Sequence, residues 1–96
     1  LTVATIQSAV AQEWGVTVEA LCSQTRTKQL TVPRQAAMHL IRELLGLQLV
    51  EIGAAFGGRD HSTVIHSLEK IQQLEQNPEF ANRINTLRTN LRALPR

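Results

Sequence analysis

The chain contains very little cysteine and few aromatic residues. Among 96 residues there are one cysteine, one tryptophan, two phenylalanines and no tyrosine. A lone Cys22 cannot close an internal disulfide or supply the paired thiolates of a usual zinc site, so a disulfide-stapled secreted domain is excluded and a reducing cytosolic setting is indicated. With so few aromatic side chains, the core must consist mainly of Leu, Ile, Val and Ala.

Long apolar runs and hairpin turns are also missing. No stretch approaches the roughly 18 apolar residues of a membrane span, so we expect no membrane partner, and no signal peptide is visible. Scarce β-branched runs and the absence of hairpin dipeptides favour an all-α fold. A length of 96 residues, 43% of them hydrophobic, suits one domain with one core. Because the chain begins with Leu1 and not Met, we expect residues 1–96 to be a single domain of a longer protein.

Charge is distributed unevenly, although the formal net charge is only +2. Residues 1–23 contain acids and no Lys or Arg, whereas residues 24–42 contain no acid and the cations Arg26, Lys28, Arg34 and Arg42. This pattern fits a basic face that binds an anionic partner. It fits equally a solvated loop followed by ordinary helix charges, and the charge alone leaves both interpretations open.

Apolar residues recur at helical spacing along most of the chain. Cap and stop signals, such as Thr2 before the first helix and Gly15 after it, divide the pattern into six segments. The predicted helices cover residues 3–14, 18–23, 33–45, 49–56, 61–76 and 78 onward. Residues 24–32 lack periodicity and are predicted to be a loop, with Pro33 in the first turn of the third helix.

The most informative stretch is GGRDHSTVIHS, at 57–67. A glycine pair separates two predicted helices, and Asp60 caps the second, whose apolar stripe begins at Val64. Two helices joined by a tight glycine-containing turn are typical of a helix-turn-helix, in which the start of the second helix enters the major groove of DNA. An αα-hairpin with an exposed polar end remains the alternative from this pattern alone.

The runs PRQAAMHLIREL (33–44), EIGAAFG (51–57) and FGGRDHSTVIHS (56–67) resemble the C-terminal DNA-binding domain of the bacterial replication initiator DnaA. The resemblance extends from about Ile6 to Leu74. It implies a six-helix, Trp-repressor-like domain with a helix-turn-helix that binds double-stranded DNA at the asymmetric DnaA box, a TTATNCACA-like sequence of replication origins. It also implies a bacterial cytoplasmic, nucleoid-associated location and an AAA+ domain upstream that binds ATP. We therefore expect no cofactor and no enzymatic activity in this chain.

The resemblance also implies roles for individual residues. Asp60, His61 and Ser62 are expected to face bases in the major groove, Thr63 a base or phosphate, and Arg26 the adjacent minor groove. Arg34 and Gln35 are expected against the backbone or groove edge. The remaining expected backbone contacts are Lys28, Arg42, Arg59 and Lys70.

Two residues depart from the pattern of this family. Ser62 stands where Thr is usual, so a methyl group that can contact a thymine methyl is missing. Val50 stands where Pro is common in the first turn of the helix. We expect this change to affect the start of the helix slightly and to leave the DNA contacts alone.

Other functions fit the same residues less well. His61 and His66 are five apart and point about 140° from each other on a helix, so they cannot share a metal unaided. Gly57-Gly58 lacks the Lys-Ser/Thr of a phosphate loop. The stripe from Phe80 to Leu91 favours a core-covering helix over a coiled coil.

Two functions other than box binding stay open. The first is a helix-turn-helix transcriptional regulator with another site. The second is an interaction module that docks a replication regulator through Leu30, Val32 and Leu47. One domain on an asymmetric site needs no dimer, so a monomer is expected.

Overall fold

A computed structural model of the protein describes residues 1–94, and these form six α-helices. The helices are α1 (Val3–Trp14), α2 (Val18–Leu21), α3 (Lys28–Leu45), α4 (Leu49–Ala55), α5 (His61–Leu74) and α6 (Pro78–Arg92). The all-α prediction is confirmed. No helix among these residues is long and apolar enough to cross a membrane.

Side-chain caps set the start of most helices, as the sequence predicts. Thr2, Thr17 and Asp60 each accept a hydrogen bond from the backbone N–H three residues on, which satisfies one of the free donors of a helix start. Asn77 does the same for α6, with Pro78 in its first turn. Gly15 and Gly46 end α1 and α3 in the left-handed conformation.

The start of α3 differs from the prediction. Residues 28–32 were expected to be loop, but α3 begins at Lys28, so Pro33 lies beyond the first turn. A proline there cannot donate to the carbonyl of Gln29. Gln29 is exposed, so water can bind that carbonyl, and Pro33 itself is fully buried. Burial of its ring offsets the lost hydrogen bond, and the weak local periodicity concealed the extra residues of the helix, 28–32.

Helix α3 occupies the centre of the fold and packs against α1 on one side and α5 on the other. Met38 is fully buried beside the other α3 core residues. The core is aliphatic apart from one phenylalanine. Its members are Ile6, Val10, Ala11, Leu21, Ala36, Ala37, Met38, Leu40, Ile41, Ile52, Phe56, Val64, Ile71, Ile84, Leu87 and Leu91.

A buried polar contact not anticipated from the sequence ties α1 and α2 to the end of α4. The carbonyl of Ala55 accepts hydrogen bonds from Gln7 Nε2 at 3.0 Å and from Cys22 Sγ at 3.4 Å. Gln7 is only 6% exposed. A carbonyl at a helix end needs such a partner when water is excluded, so this contact fixes α4 on the scaffold.

Helix α6 packs on the core through its buried residues Ile84, Leu87 and Leu91. Its arginines bind acids of the scaffold: Arg83 Nε donates to Glu13 Oε1 at 2.9 Å, and Arg88 bonds both oxygens of Glu43. The structure thus fits the prediction that α6 covers the core, and it accounts for its arginines by intramolecular pairing.

Candidate nucleic-acid interface

The turn between α4 and α5 is shaped by three glycines. Gly57 and Gly58 both have φ of 83°, a conformation that residues with a Cβ adopt only with strain. A Cβ on Gly57 would lie 2.3 Å from the carbonyl oxygen of Cys22, and one on Gly53 would lie 2.0 Å from that of Arg59. The Gly53 carbonyl accepts the N–H groups of Phe56, Gly58 and Arg59. These contacts fix the direction in which α5 leaves the turn.

The first residues of α5 form an exposed polar end. The Oδ1 of Asp60 accepts from Thr63 N at 2.9 Å, and this backbone bond holds the pKa of the Asp60 carboxyl below its ordinary value. His61 and Ser62 are exposed and Thr63 is half-buried. Ser67 then donates to the Thr63 carbonyl, and Val64 enters the core. The polar groups therefore point away from the core at the positive end of the helix dipole.

Arg34 of α3 binds the end of α2 and the segment between α2 and α3, which carries Arg26. The guanidinium of Arg34 donates to four backbone carbonyls: Leu21 at 2.6 Å, Thr25 at 2.9 Å, and Ala20 and Ser23 at 3.1 Å each. Arg34 is only 5% exposed. Burial, followed by the nearby charge of Arg59, lowers the pKa of Arg34. Four of the five N–H donors of Arg34 are thus bound to carbonyls inside the protein. The backbone or groove contact expected for Arg34 stays a prediction.

Arg59 is partly committed to the same segment. Its Nη2 donates to the Ser23 carbonyl at 2.7 Å, and its Nε is buried without a hydrogen-bond partner in the described chain. Gln24 Nε2 adds a bond of 3.0 Å to the carbonyl of Gly57. The helix-turn-helix and the Arg26 segment are thus joined by two hydrogen bonds.

A recess of about 290 Å³ lies where the Arg26 segment, α3 and α5 meet. Besides Arg34, it brings together four of the predicted site residues, Arg26, Gln35, Arg59 and Thr63. Gln35 Oε1 is buried here without a partner among the described residues. The other lining residues are Thr31, Arg34, Met38 and Ser67. Three of these, Thr31, Met38 and Ser67, were not predicted, because their side chains are too ordinary for a sequence pattern to single them out.

With this geometry in place, the comparison with known proteins decides the family. A family model described as the bacterial dnaA protein helix-turn-helix matches residues 3–71. This chain belongs to that family. A crystal structure of a DNA replication initiation factor is similar over 92% of this chain, with 31% sequence identity and a TM-score of 0.83. The chain spans 27% of the length of that protein.

Within this DnaA-type helix-turn-helix domain, Lys28 and Lys70 border a second groove, between α3 and α5, of about 540 Å³. Gln35 lies between the two grooves and lines both. Lys28 was predicted in a loop, but it is the first residue of α3. Both lysines are exposed, so their ammonium groups can reach an anionic partner outside the protein.

Arg42 is not brought to either groove. It lies in the last turn of α3 and its Nη1 donates to the Leu47 carbonyl, so it satisfies the carbonyl of the chain that leaves the helix. Its side chain is nevertheless exposed. The structure gives Arg42 a local structural contact, and its contact with DNA stays a prediction.

Ion pairing separates the cations into two groups. In residues 1–94, every ion pair of an arginine belongs to α6: Arg83 with Glu13, and Arg88 and Arg92 with Glu43. The other described cations form no ion pair with a carboxylate. They are Arg26, Lys28, Arg34, Arg42, Arg59 and Lys70. Because most of these line the two grooves, the positive field of this DnaA-type domain is concentrated there.

Proposed function

We propose that this chain binds double-stranded DNA in a sequence-specific way at DnaA boxes of a replication origin. The observation that carries the proposal is that Thr63, in the first turn of α5, and Arg26 border one recess. Hydrogen bonds hold the segments that carry these two residues together. A recognition helix and an arginine arranged in this way can enter adjacent major and minor grooves. Membership in the DnaA helix-turn-helix family supports the same function.

Base readings and backbone contacts are assigned to different residues. Asp60, His61 and Ser62 would read base edges in the major groove, because their polar groups are short and exposed. Arg26 would enter the minor groove, where A·T-rich DNA concentrates negative potential. Lys28 and Lys70 would contact phosphates and contribute affinity without sequence information.

The wider role follows from the same proposal. DNA binding by this domain would bring a longer protein to the origin, and we predict a nucleoid-associated location in a bacterial cytoplasm. An ATP-binding AAA+ region, a regulatory protein partner and monomeric binding of this domain remain predictions. We predict no catalytic step within residues 1–96.

The experiment is a titration of the chain with a DnaA-box duplex and a scrambled duplex of equal composition, at several salt concentrations. We expect the box to bind roughly 10³-fold more tightly, or better, at moderate salt. Equal affinity for the two duplexes at every salt concentration contradicts box specificity. A preference for some unrelated sequence would instead favour a transcriptional regulator of the same fold.

The interaction-module alternative gains no support from the structure. Leu30, Val32 and Leu47, expected to form its exposed apolar patch, are all half-buried. Among residues 1–94, the exposed large apolar side chains are Leu1, Val50, Ile65 and Leu94.

A further inference from the structure

We propose that Arg34 and Arg59 are positioning residues that set the spacing between the two DNA-reading groups and do not bind phosphate themselves. The proposal rests on the DNA-binding function above. Its basis is that both guanidinium groups converge on one carbonyl, that of Ser23, from α3 and from the helix-turn-helix turn. We name this arrangement, Arg34 and Arg59 on Ser23, the arginine clamp.

The first half of the clamp holds the end of α2 and the segment after it. Ala20 and Leu21 are in the last turn of α2, where carbonyls lack helical partners. Arg34 satisfies them with Nε and Nη2 and then reaches Thr25 with Nη1. Thr25 immediately precedes Arg26. The bond from Arg34 to Thr25 therefore fixes the backbone next to Arg26, the residue proposed to enter the minor groove.

The second half of the clamp connects that backbone to the recognition helix. Arg59 immediately precedes Asp60, the cap of α5, and its Nη2 bonds the same Ser23 carbonyl. Gln24 reinforces the connection through the Gly57 carbonyl. Arg26 and the start of α5 therefore move as one body, although they are more than 30 residues apart in the chain.

The chemistry of the guanidinium makes this arrangement specific to arginine. The three nitrogens of the Arg34 guanidinium form a planar fork of N–H donors, which binds carbonyls lying in different directions around it. A lysine ammonium has a single nitrogen and cannot bind all of these carbonyls. No carboxylate pairs with either arginine in the described residues. Their partners are neutral carbonyls, so neither charge is neutralised by an acid next to the DNA-reading surface. Arg34 bonds carbonyls through all three of its nitrogens, and Arg59 bonds Ser23 through Nη2.

The test uses two DnaA-box duplexes that differ only in the minor groove. In the second, 2,6-diaminopurine replaces the adenines of the A·T-rich half, which adds an amino group in the minor groove and leaves the major-groove pattern intact. Wild type should bind the modified box about tenfold more weakly, because Arg26 is obstructed, and Arg26→Ala should not distinguish the two duplexes.

Arg34→Lys keeps the charge and removes the fork. We expect it to bind the ordinary box about tenfold more weakly, to be nearly insensitive to the modified adenines, and to lose little more when Arg26→Ala is added. Arg92→Lys, on α6, makes the same chemical change away from the clamp and should behave as wild type. A folded Arg34→Lys protein that keeps the full tenfold sensitivity overturns the proposal, as does an additive loss in the double variant.

Circular dichroism establishes whether Arg34→Lys is folded. If it is not, Gln24→Ala decides, since Gln24 is exposed and its loss removes only the bond to Gly57. We expect Gln24→Ala to lose part of the sensitivity to diaminopurine, and full retention contradicts the proposal. Failure of wild type to prefer the box over a scrambled duplex would instead count against the DNA-binding function itself.

Discussion

Asp60 and His61 are neighbours in the chain, but their side chains have different tasks. The Asp60 carboxylate caps α5 through Thr63, so any base contact it makes comes in addition to a structural role. The His61 side chain is exposed and makes no hydrogen bond or ion pair within residues 1–94. Its ring nitrogens are free to bind a base. Replacing His61 therefore tests base reading without removing a contact inside the protein.

Replacing His61 should therefore reduce specificity with little effect on folding. We expect His61→Ala to cost about 1–3 kcal/mol of binding free energy on the box and much less on a scrambled duplex. His66→Ala is the matched control, because His66 is on the same helix and its side chain is 81% exposed. Equal losses on both duplexes in a binding titration would contradict a base-reading role for His61.

A substitution at Ser62 can add a contact with DNA. Ser62→Thr adds one methyl group at an exposed position in the first turn of α5. Where that methyl meets a thymine methyl, burial of the added group should strengthen binding by about 0.8 kcal/mol. Boxes in which each thymine is replaced in turn by uracil measure this, since uracil lacks the methyl. The affinity added by Ser62→Thr should disappear in the box in which the contacted thymine is replaced. If the added affinity is the same in every uracil box, no thymine methyl is involved.

At the scale of elements, the glycine turn decides where α5 points. Gly57 and Gly58 share the same φ, but they differ in surroundings: a Cβ on Gly57 meets the Cys22 carbonyl, and one on Gly58 meets nothing within 4 Å. Alanine at Gly58 would therefore show the free-energy cost of the left-handed backbone alone. Alanine at Gly57 would add the cost of moving the turn away from Cys22.

We expect Gly58→Ala to lower the free energy of unfolding by about 1–2 kcal/mol, the cost of the left-handed conformation alone. Gly57→Ala should cost clearly more, because a backbone carbonyl must also move. Urea unfolding of both variants measures the difference. Equal destabilisation would show that the turn can shift away from Cys22 without cost.

Across the whole molecule, the arginines of α6 pair with acids, whereas the lysines and arginines of the two grooves pair with none in residues 1–94. Glu13 and Glu43 pair with the arginines of α6, whereas Arg26, Lys28 and Lys70 form no ion pair in the described chain. Glu69 is the acid that lines the larger groove, beside Lys28 and Lys70, and no described acid lines the smaller recess, so cations outnumber acids in both. A net charge of only +2 is therefore compatible with strong attraction of a polyanion to one face.

Lys70 tests this field, because it is exposed and lies at the rim of the larger groove. Lys70→Ala should weaken binding to box and scrambled duplexes alike and reduce the salt slope by about one unit. Arg92→Ala removes the same charge from a residue paired with Glu43 and should leave the slope nearly unchanged. An unaltered slope in Lys70→Ala would mean that Lys70 contacts no phosphate.

The Glu43 cluster should make stability depend on pH. Burial raises the pKa of the Glu43 carboxyl, but the hydrogen bond and charge of Arg88, with His39 and Arg92, outweigh it, so the pKa lies below its ordinary value of 4.5. A carboxyl with a lowered pKa stabilises the fold above the pKa of the unfolded chain, and that contribution disappears as the pH falls through the folded pKa.

Glu43→Gln should accordingly lower Tm at pH 7, and its difference from wild type should shrink as the pH falls below about 4.5. Thermal unfolding followed by circular dichroism from pH 7 to pH 2.5 measures this. Glu19→Gln is the control, because Glu19 is exposed and forms no ion pair in residues 1–94. A difference that stays constant over the whole range contradicts the assignment to Glu43 ionisation.

The sequence by itself determined the helices whose signals are local. Caps such as Thr2 and Asp60, and stops such as Gly15, act within one helical turn, so the residues beside them suffice to predict α1, α2, α5 and the start of α6. The family was also determined by sequence, because the runs around Asp60 combine specific residues with fixed spacing. The start of α3 was not, since helix there depends on burial of Pro33 by other elements.

Only the tertiary structure decided what the arginines do. In the sequence, Arg26, Arg34 and Arg59 are alike as cations near a predicted DNA-reading helix. In the fold, Arg34 is buried on four carbonyls and Arg59 is partly bonded to Ser23, while Arg26 is exposed. The carbonyl of Ser23 is a backbone atom that any residue would supply, so no sequence pattern marks it. A guanidinium binds whatever acceptors the fold brings within reach, and those acceptors are remote in the chain.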